Sequence, residues 1–190
     1  MMAAGEGNLM RKLLRRIGLS VALVVGGGGG LAVGLSATPA GATGPTCTIS
    51  WNNSSGGSWS TAGDWTVTGG GTARVPDSSD DVCITLPGTY TVTLSGSVSV
   101  SEIAVGNTPA NTGDDETLTI ESNDSMLTLG ASSTSTIGAD GTLDVGDATT
   151  GGEYAGIEGP ATAALTSDGT LNTVVGSGGT RYLRSNITND

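Results

Sequence analysis

From Arg74 to Gly106 the chain places apolar residues at every second position. A turn cluster (Pro76, Asp77, Ser78, Ser79, Asp80, Asp81) leads into Val82, Ile84 and Leu86, which alternate with Cys83 and Thr85. After Pro87-Gly88, Tyr90, Val92 and Leu94 alternate with Thr89, Thr91 and Thr93. After Ser95-Gly96, Val98 and Val100 alternate with Ser97, Ser99 and Ser101, and Ile103 and Val105 close the run. A period of two predicts short strands with one buried face. Val and Thr suit that pleated surface, so the expected class is all-β.

The pattern continues in weaker form. Asn107 to Glu116 reads as an inserted loop with Pro109 and the acids Asp114, Asp115 and Glu116. Strand signals return at Leu118-Thr119-Ile120, Met126 to Leu129, Thr136-Ile137 and Gly141 to Val145. Asp140-Gly141-Thr142-Leu143 is echoed by Asp168-Gly169-Thr170-Leu171, an Asp-Gly turn feeding a new strand each time. These echoes predict a degenerate solenoid, because the spacing between units is irregular. Thr149 to Pro160 reads as a Gly-rich loop, and Arg181, Tyr182, Leu183 and Ile187 as the start of another rung. No amphipathic helix or polar cap precedes Asp190, so the chain is expected to be a truncated product, incomplete at its C-terminus.

Upstream lies a segment of different character. Arg11, Lys12, Arg15 and Arg16 precede an apolar run from Ile17 to Leu35, and Ala40 and Ala42 form a small-x-small site. These are the three parts of a secretory signal, with cleavage expected after Ala42. The competing reading is an uncleaved anchor, which five consecutive glycines, Gly26 to Gly30, disfavour as a helix. Arg15-Arg16 also raises the twin-arginine route beside the general one, although Ile17-Gly18 after the pair fits it loosely. The expected organisation is a signal peptide at 1–42, a Trp-rich cap at 43–73 and solenoid rungs at 74–190.

Composition narrows the fold further. With 33 Gly, no Phe and 3% aromatic residues, the chain lacks the bulk for a thick core but can fill thin layers of Val, Ile and Leu. Residues 1–42 hold four of the seven basic residues and one of the eighteen acidic ones, so the remainder carries three basic against seventeen acidic, a net of −14. Such a surface repels phosphate backbones and excludes nucleic acid as a partner. Removal of the signal leaves no span for stable membrane insertion. Cys47 and Cys83 read as a disulfide in an exported chain, the alternative being two buried thiols.

Trp59 to Trp65 (WSTAGDW), Arg74-Val75-Pro76, Asp80 to Ile84 (DDVCI) and Tyr90-Thr91-Val92 resemble the N-terminal part of large secreted bacterial β-helix proteins. These are autotransporter-passenger-like proteins of the broad pectin-lyase-like group. The resemblance covers roughly residues 47–145. It implies a right-handed parallel β-helix in an exported, extracellular or surface-attached protein, and it does not imply an enzyme.

Candidate chemistry is sparse. There is no His anywhere and no Lys after Lys12, which removes Ser-His, Cys-His and Ser-Lys nucleophiles and leaves lyase chemistry poorly supplied with a base. Carboxylate pairs such as Asp80 with Asp81, or Asp140 with Asp144, meet the minimum for glycoside hydrolysis, but turn chemistry explains them as well. No catalytic residue is assigned, and no cofactor is required. Calcium is the one cofactor with candidate ligands: Asp114, Asp115, Glu116, Asp140 and Asp144 supply hard oxygens, with Asp147 nearby. Trp51, Trp59 and Trp65 are either a lid over the first rung or a platform for sugar rings. The expected role is a secreted, non-catalytic structural or adhesion-like module. The alternative is a carbohydrate-active module that binds or hydrolyses an extracellular polysaccharide.

Overall fold

The computed structural model describes residues 46–148, 153–176 and 179–189. The expected signal peptide, with Ala40 and Ala42, lies outside the described residues. Within them the alternation is realised as sixteen short strands in three sheets, with one three-residue 3-10 helix at Ala62–Asp64. No helix among them is long and apolar enough to cross a membrane.

Each turn of the chain visits the three sheets in order. The first complete rung is β4 (Asp81–Ile84), β5 (Thr89–Leu94) and β6 (Val98–Val100). The second is β7 (Glu102–Val105), β8 (Asp115–Ile120) and β9 (Ser125–Leu129). The third is β10 (Thr134–Ile137), β11 (Gly141–Val145) and β12 (Ala155–Glu158). The fourth is β13 (Ala164–Ser167), β14 (Thr170–Thr173) and β15 (Arg181–Arg184), after which β16 (Asn186–Asn189) pairs in parallel with β13. Every strand from β4 onward is parallel to its neighbours in the stack, which makes the fold a β-solenoid of about four turns.

Parallel register stacks like on like. In the second sheet Val92 pairs with Leu118, Leu118 with Leu143 and Leu143 with Leu171, while Leu94, Ile120 and Val145 form the next column. In the third sheet Val98, Leu127, Ile157 and Leu183 align. Most of these residues are fully buried and belong to one continuous core. The rung lengths read from the Val92 column of the second sheet are 26, 25 and 28 residues, and the two DGTL echoes lie one turn apart. The irregular spacing in the sequence is therefore variation in corner length around a regular strand register.

The Gly-rich loop expected at Thr149 to Pro160 is corrected by β12. Ala155, Gly156 and Ile157 are all buried between β9 and β15. Small side chains let this strand pass close to its neighbours: a Cβ on Gly156 would meet Tyr182 Cβ at 2.8 Å.

The stack begins at a lid. β1 (Ile49–Trp51) pairs antiparallel with β3 (Trp65–Val67) and parallel with β4, and the two-residue β2 (Gly57–Ser58) extends the second sheet beside β5. Cys47 and Cys83 form a disulfide with a Cα–Cα distance of 5.7 Å, tying the start of the lid to the first rung.

Candidate functional site

The lid settles how the tryptophans are used. Trp51, Trp59 and Trp65 are 2%, 1% and 1% exposed. Trp65 packs edge-on against Trp51 at 5.0 Å and against Trp59 at 4.8 Å. Trp51 Nε1 donates to Asn53 O (2.6 Å) and Trp65 Nε1 to Trp59 O (2.8 Å). A sugar platform needs an open ring face, and these rings have none. Of the two readings of these tryptophans, their burial favours the lid over the first rung, a role that edge-to-face aromatic packing serves well.

Beneath the lid, the turn Arg74 to Asp81 is built around one carboxylate. Asp80, 2% exposed, accepts from Arg74 Nη1 (2.5 Å) and Nη2 (2.7 Å), from the Asp77 amide (2.8 Å) and from Thr48 Oγ1 (3.0 Å). Hydrogen bonds from Arg74 hold its pKa below the ordinary carboxylate value against the opposing effect of burial. The group is fully occupied and holds the corner.

The acids expected to bind calcium are sorted differently by the structure. Asp115 points outward at the start of β8, and Asp144, on the outer face of β11, accepts from Asn172 Nδ2 (2.9 Å). Asp147 accepts from the Ser122 amide (2.9 Å). These three stand apart from the candidate centre. Asp114, Glu116 and Asp140 come together instead, with one carboxylate oxygen from each lying within 4.8 Å of the others.

Their positions follow from the fold. Glu116 sits on the inward face of β8, in register between Tyr90 on β5 and Gly141 on β11. Asp140 is the residue before β11, one rung further on, and Asp114 ends the loop that joins β7 to β8. Gly141 is required: a Cβ there would lie 2.1 Å from Val105 O. Asp140 orders the loop by accepting from the amides of Asn107 (Oδ1) and Asn111 (Oδ2, 2.8 Å). Glu116 is wholly buried; Oε1 accepts a long bond from Asn107 Nδ2 (3.4 Å), and Oε2 has no hydrogen-bond partner. Burial pushes the Glu116 pKa up to about 7, and the nearby charge of Asp140 adds to the rise. Burial, with Glu116 next, also raises the pKa of the Tyr90 phenol, whose oxygen accepts from the Leu86 amide (3.1 Å).

A second feature lies on the outer face of the third sheet. Ser97, Met126, Thr128, Tyr154, Glu158, Tyr182 and Arg184 line a shallow groove of about 400 Å³. Tyr154 and Tyr182 meet edge-on at 5.9 Å, and the Arg184 guanidinium lies 4.1 Å above the Tyr182 ring. Gly156, directly beneath Tyr182 in register, leaves the ring room. Sequence reasoning passed over this face because Tyr154 sat in an expected loop and Tyr182 in a rung start. The repeat spacing held no signal for the pair, because β12 and β15 are offset by 26 residues and Gly156, not Tyr154, stands in register with Tyr182.

Comparison with protein-family models, with curated proteins and with solved structures gave no match.

Proposed function

We propose that this chain is a secreted or surface-exposed, non-catalytic β-solenoid that works as a structural or adhesive module, in the manner of the autotransporter-passenger-like proteins its N-terminal motifs resemble. The observation that carries this reading is the uninterrupted parallel stack with its apolar residues inside and hydroxyl-bearing ladders outside. Thr91, Thr117, Thr142 and Thr170 align down one outer face. Such a stack is a rigid spacer with repeating outward positions.

Among the described residues, the carboxylate group around Glu116, whose pKa is raised, would suit a glycosidase acid, but Glu116 is 0% exposed. That supports presentation over catalysis. The runner-up, a carbohydrate-active module, draws its support from the groove of the third sheet. There Tyr182 and Arg184 offer an aromatic face and a cation, Glu158 an acceptor, and no second carboxylate lines the groove.

Glycan-array binding and retention on insoluble polysaccharides test both readings. Retention on whole cells that Tyr182→Ala leaves unchanged is the expected adhesive result, whereas glycan retention reduced at least tenfold by Tyr182→Ala would favour the carbohydrate-active reading. Released reducing ends would favour the carbohydrate-active reading. No retention on any glycan or on whole cells would remove adhesion and leave the spacer role.

A further inference from the structure

We propose that Asp114, Glu116 and Asp140 form a structural binding site for a calcium-sized divalent cation that clamps two consecutive rungs. The first observation is geometric. Oxygens from three carboxylates converge within 4.8 Å, and a calcium ion with ligands at roughly 2.4 Å spans about that distance. A sphere of magnesium size, with ligands near 2.1 Å, would need the carboxylates to close in further.

The second observation is independent of the clustering. Glu116 is wholly buried, and its Oε2 lacks a hydrogen-bond partner in a side chain that the cluster itself encloses. Buried acceptors in folded proteins are nearly always satisfied. No arginine or lysine pairs with these acids among the described residues, where Arg74 pairs with Asp77 and Asp80. A hard divalent cation satisfies all three groups at once and offsets charges that otherwise repel in a low-dielectric setting.

Placement gives the site a purpose. Asp114 closes the β7–β8 loop, Glu116 belongs to the second rung and Asp140 to the third. Asp140 already holds the loop through the Asn107 and Asn111 amides, so its outer lone pairs and those of Glu116 and Asp114 remain for the ion. Binding would fasten the long β7–β8 corner (residues 106–114) to the next rung. This inference does not depend on the surface role proposed above: glycan retention and calcium binding can each fail alone.

The test uses the full chain, stripped with chelator, in calorimetric titrations and thermal melts with CaCl2 and, separately, MgCl2. One calcium per chain is expected, with affinity on the order of 0.1–1 mM, the range of extracellular calcium modules. The melting temperature should climb with the logarithm of CaCl2 concentration and gain about 5 °C or more at a hundredfold excess over Kd. Glu116→Gln keeps the shape of the side chain and removes a buried charge. It should fold at least as stably as the calcium-free wild type and bind calcium at least tenfold more weakly. Asp114→Asn, at a half-buried position, gives the same readout should Glu116→Gln fail to fold. Asp124→Asn, on a turn between β8 and β9, should bind like the wild type. No heat and no thermal shift up to about 10 mM CaCl2 would overturn the site. Wild-type affinity in both Glu116→Gln and Asp114→Asn would also overturn it, as would an equal shift from MgCl2.

Discussion

Asp80 carries its charge at 2% exposure because four donors converge on it, two of them from Arg74. Charge-assisted bonds of this kind stabilise more than neutral ones, and losing them leaves Arg74 with only its longer bonds to Asp77 and the Val75 carbonyl. Asp80→Asn should therefore destabilise the chain by about 2 kcal/mol near neutral pH, read as a lower urea midpoint. The pairing lowers the folded pKa below the unfolded value of about 3.9, so its stabilisation is complete above roughly pH 4. It is lost as pH falls through the depressed folded value. The gap between wild type and Asp80→Asn should then narrow below pH 4, and a gap that widens on acidification would contradict the assignment. The same turn was legible in the sequence only as an Asp-rich corner. That Asp80 takes both guanidinium nitrogens while Asp77 takes only one was not legible there, since Thr48 reaches Asp80 from the lid across 32 positions.

At the scale of the strand, alternation predicts more than it was asked to. The residues Glu116, Leu118 and Ile120 share one parity on β8 and one buried face, so the inward carboxylate could be read beside its apolar neighbours. Grouping Glu116 with the loop acids before it hid this, because a turn cluster and a strand start overlap there. By contrast, the cross-rung pairings that bring Asp140 beside Glu116 depend on corner lengths, which period-two patterning does not encode. The tryptophans show a different limit: their clustering was visible, but whether the rings faced in or out rested on partners such as the Asn53 and Trp59 carbonyls. Polar residues also enter the stack where a partner waits. Ser135 occupies the Ile103–Leu165 column, and its Oγ accepts from the Ile103 amide (3.0 Å). Position in the column should govern the effect of truncation. Leu118→Ala, at 0% exposure between Val92 and Leu143, should cost about 3 kcal/mol, whereas Leu183→Ala, at 41% exposure, should cost under about 1 kcal/mol. Chemical denaturation of the two variants checks the ordering, and equal losses would mean that the columns do not share one core.

The described residues form a one-dimensional stack whose two regions differ in how firmly they are held. Near the lid, β4 and β5 bury Val82, Ile84, Tyr90, Val92 and Leu94 beneath three tryptophans, and the disulfide closes a separation of 36 residues. On the loop-entropy model that link contributes about 4 kcal/mol. Farther along, β14, β15 and β16 present mostly exposed or half-buried positions, and Leu171 and Ile187 only flank the core. In a solenoid each rung gains stability from its neighbours, so such a gradient should appear as graded opening and not as one transition. Native-state hydrogen exchange is expected to show amides of β14–β16 opening well before those of β4, β5, β7 and β8, with the opening free energy rising rung by rung toward the lid. Reducing the disulfide should lower protection in β1 and β4 and leave β15 unchanged, since no contact couples those ends except through the stack. Saturating calcium, if held by Asp114, Glu116 and Asp140, should raise protection most in the second and third rungs, where the clamp lies. Uniform protection from β4 to β16, with or without reductant, would mean that the chain opens as a single cooperative body and that rung-by-rung stability does not describe it.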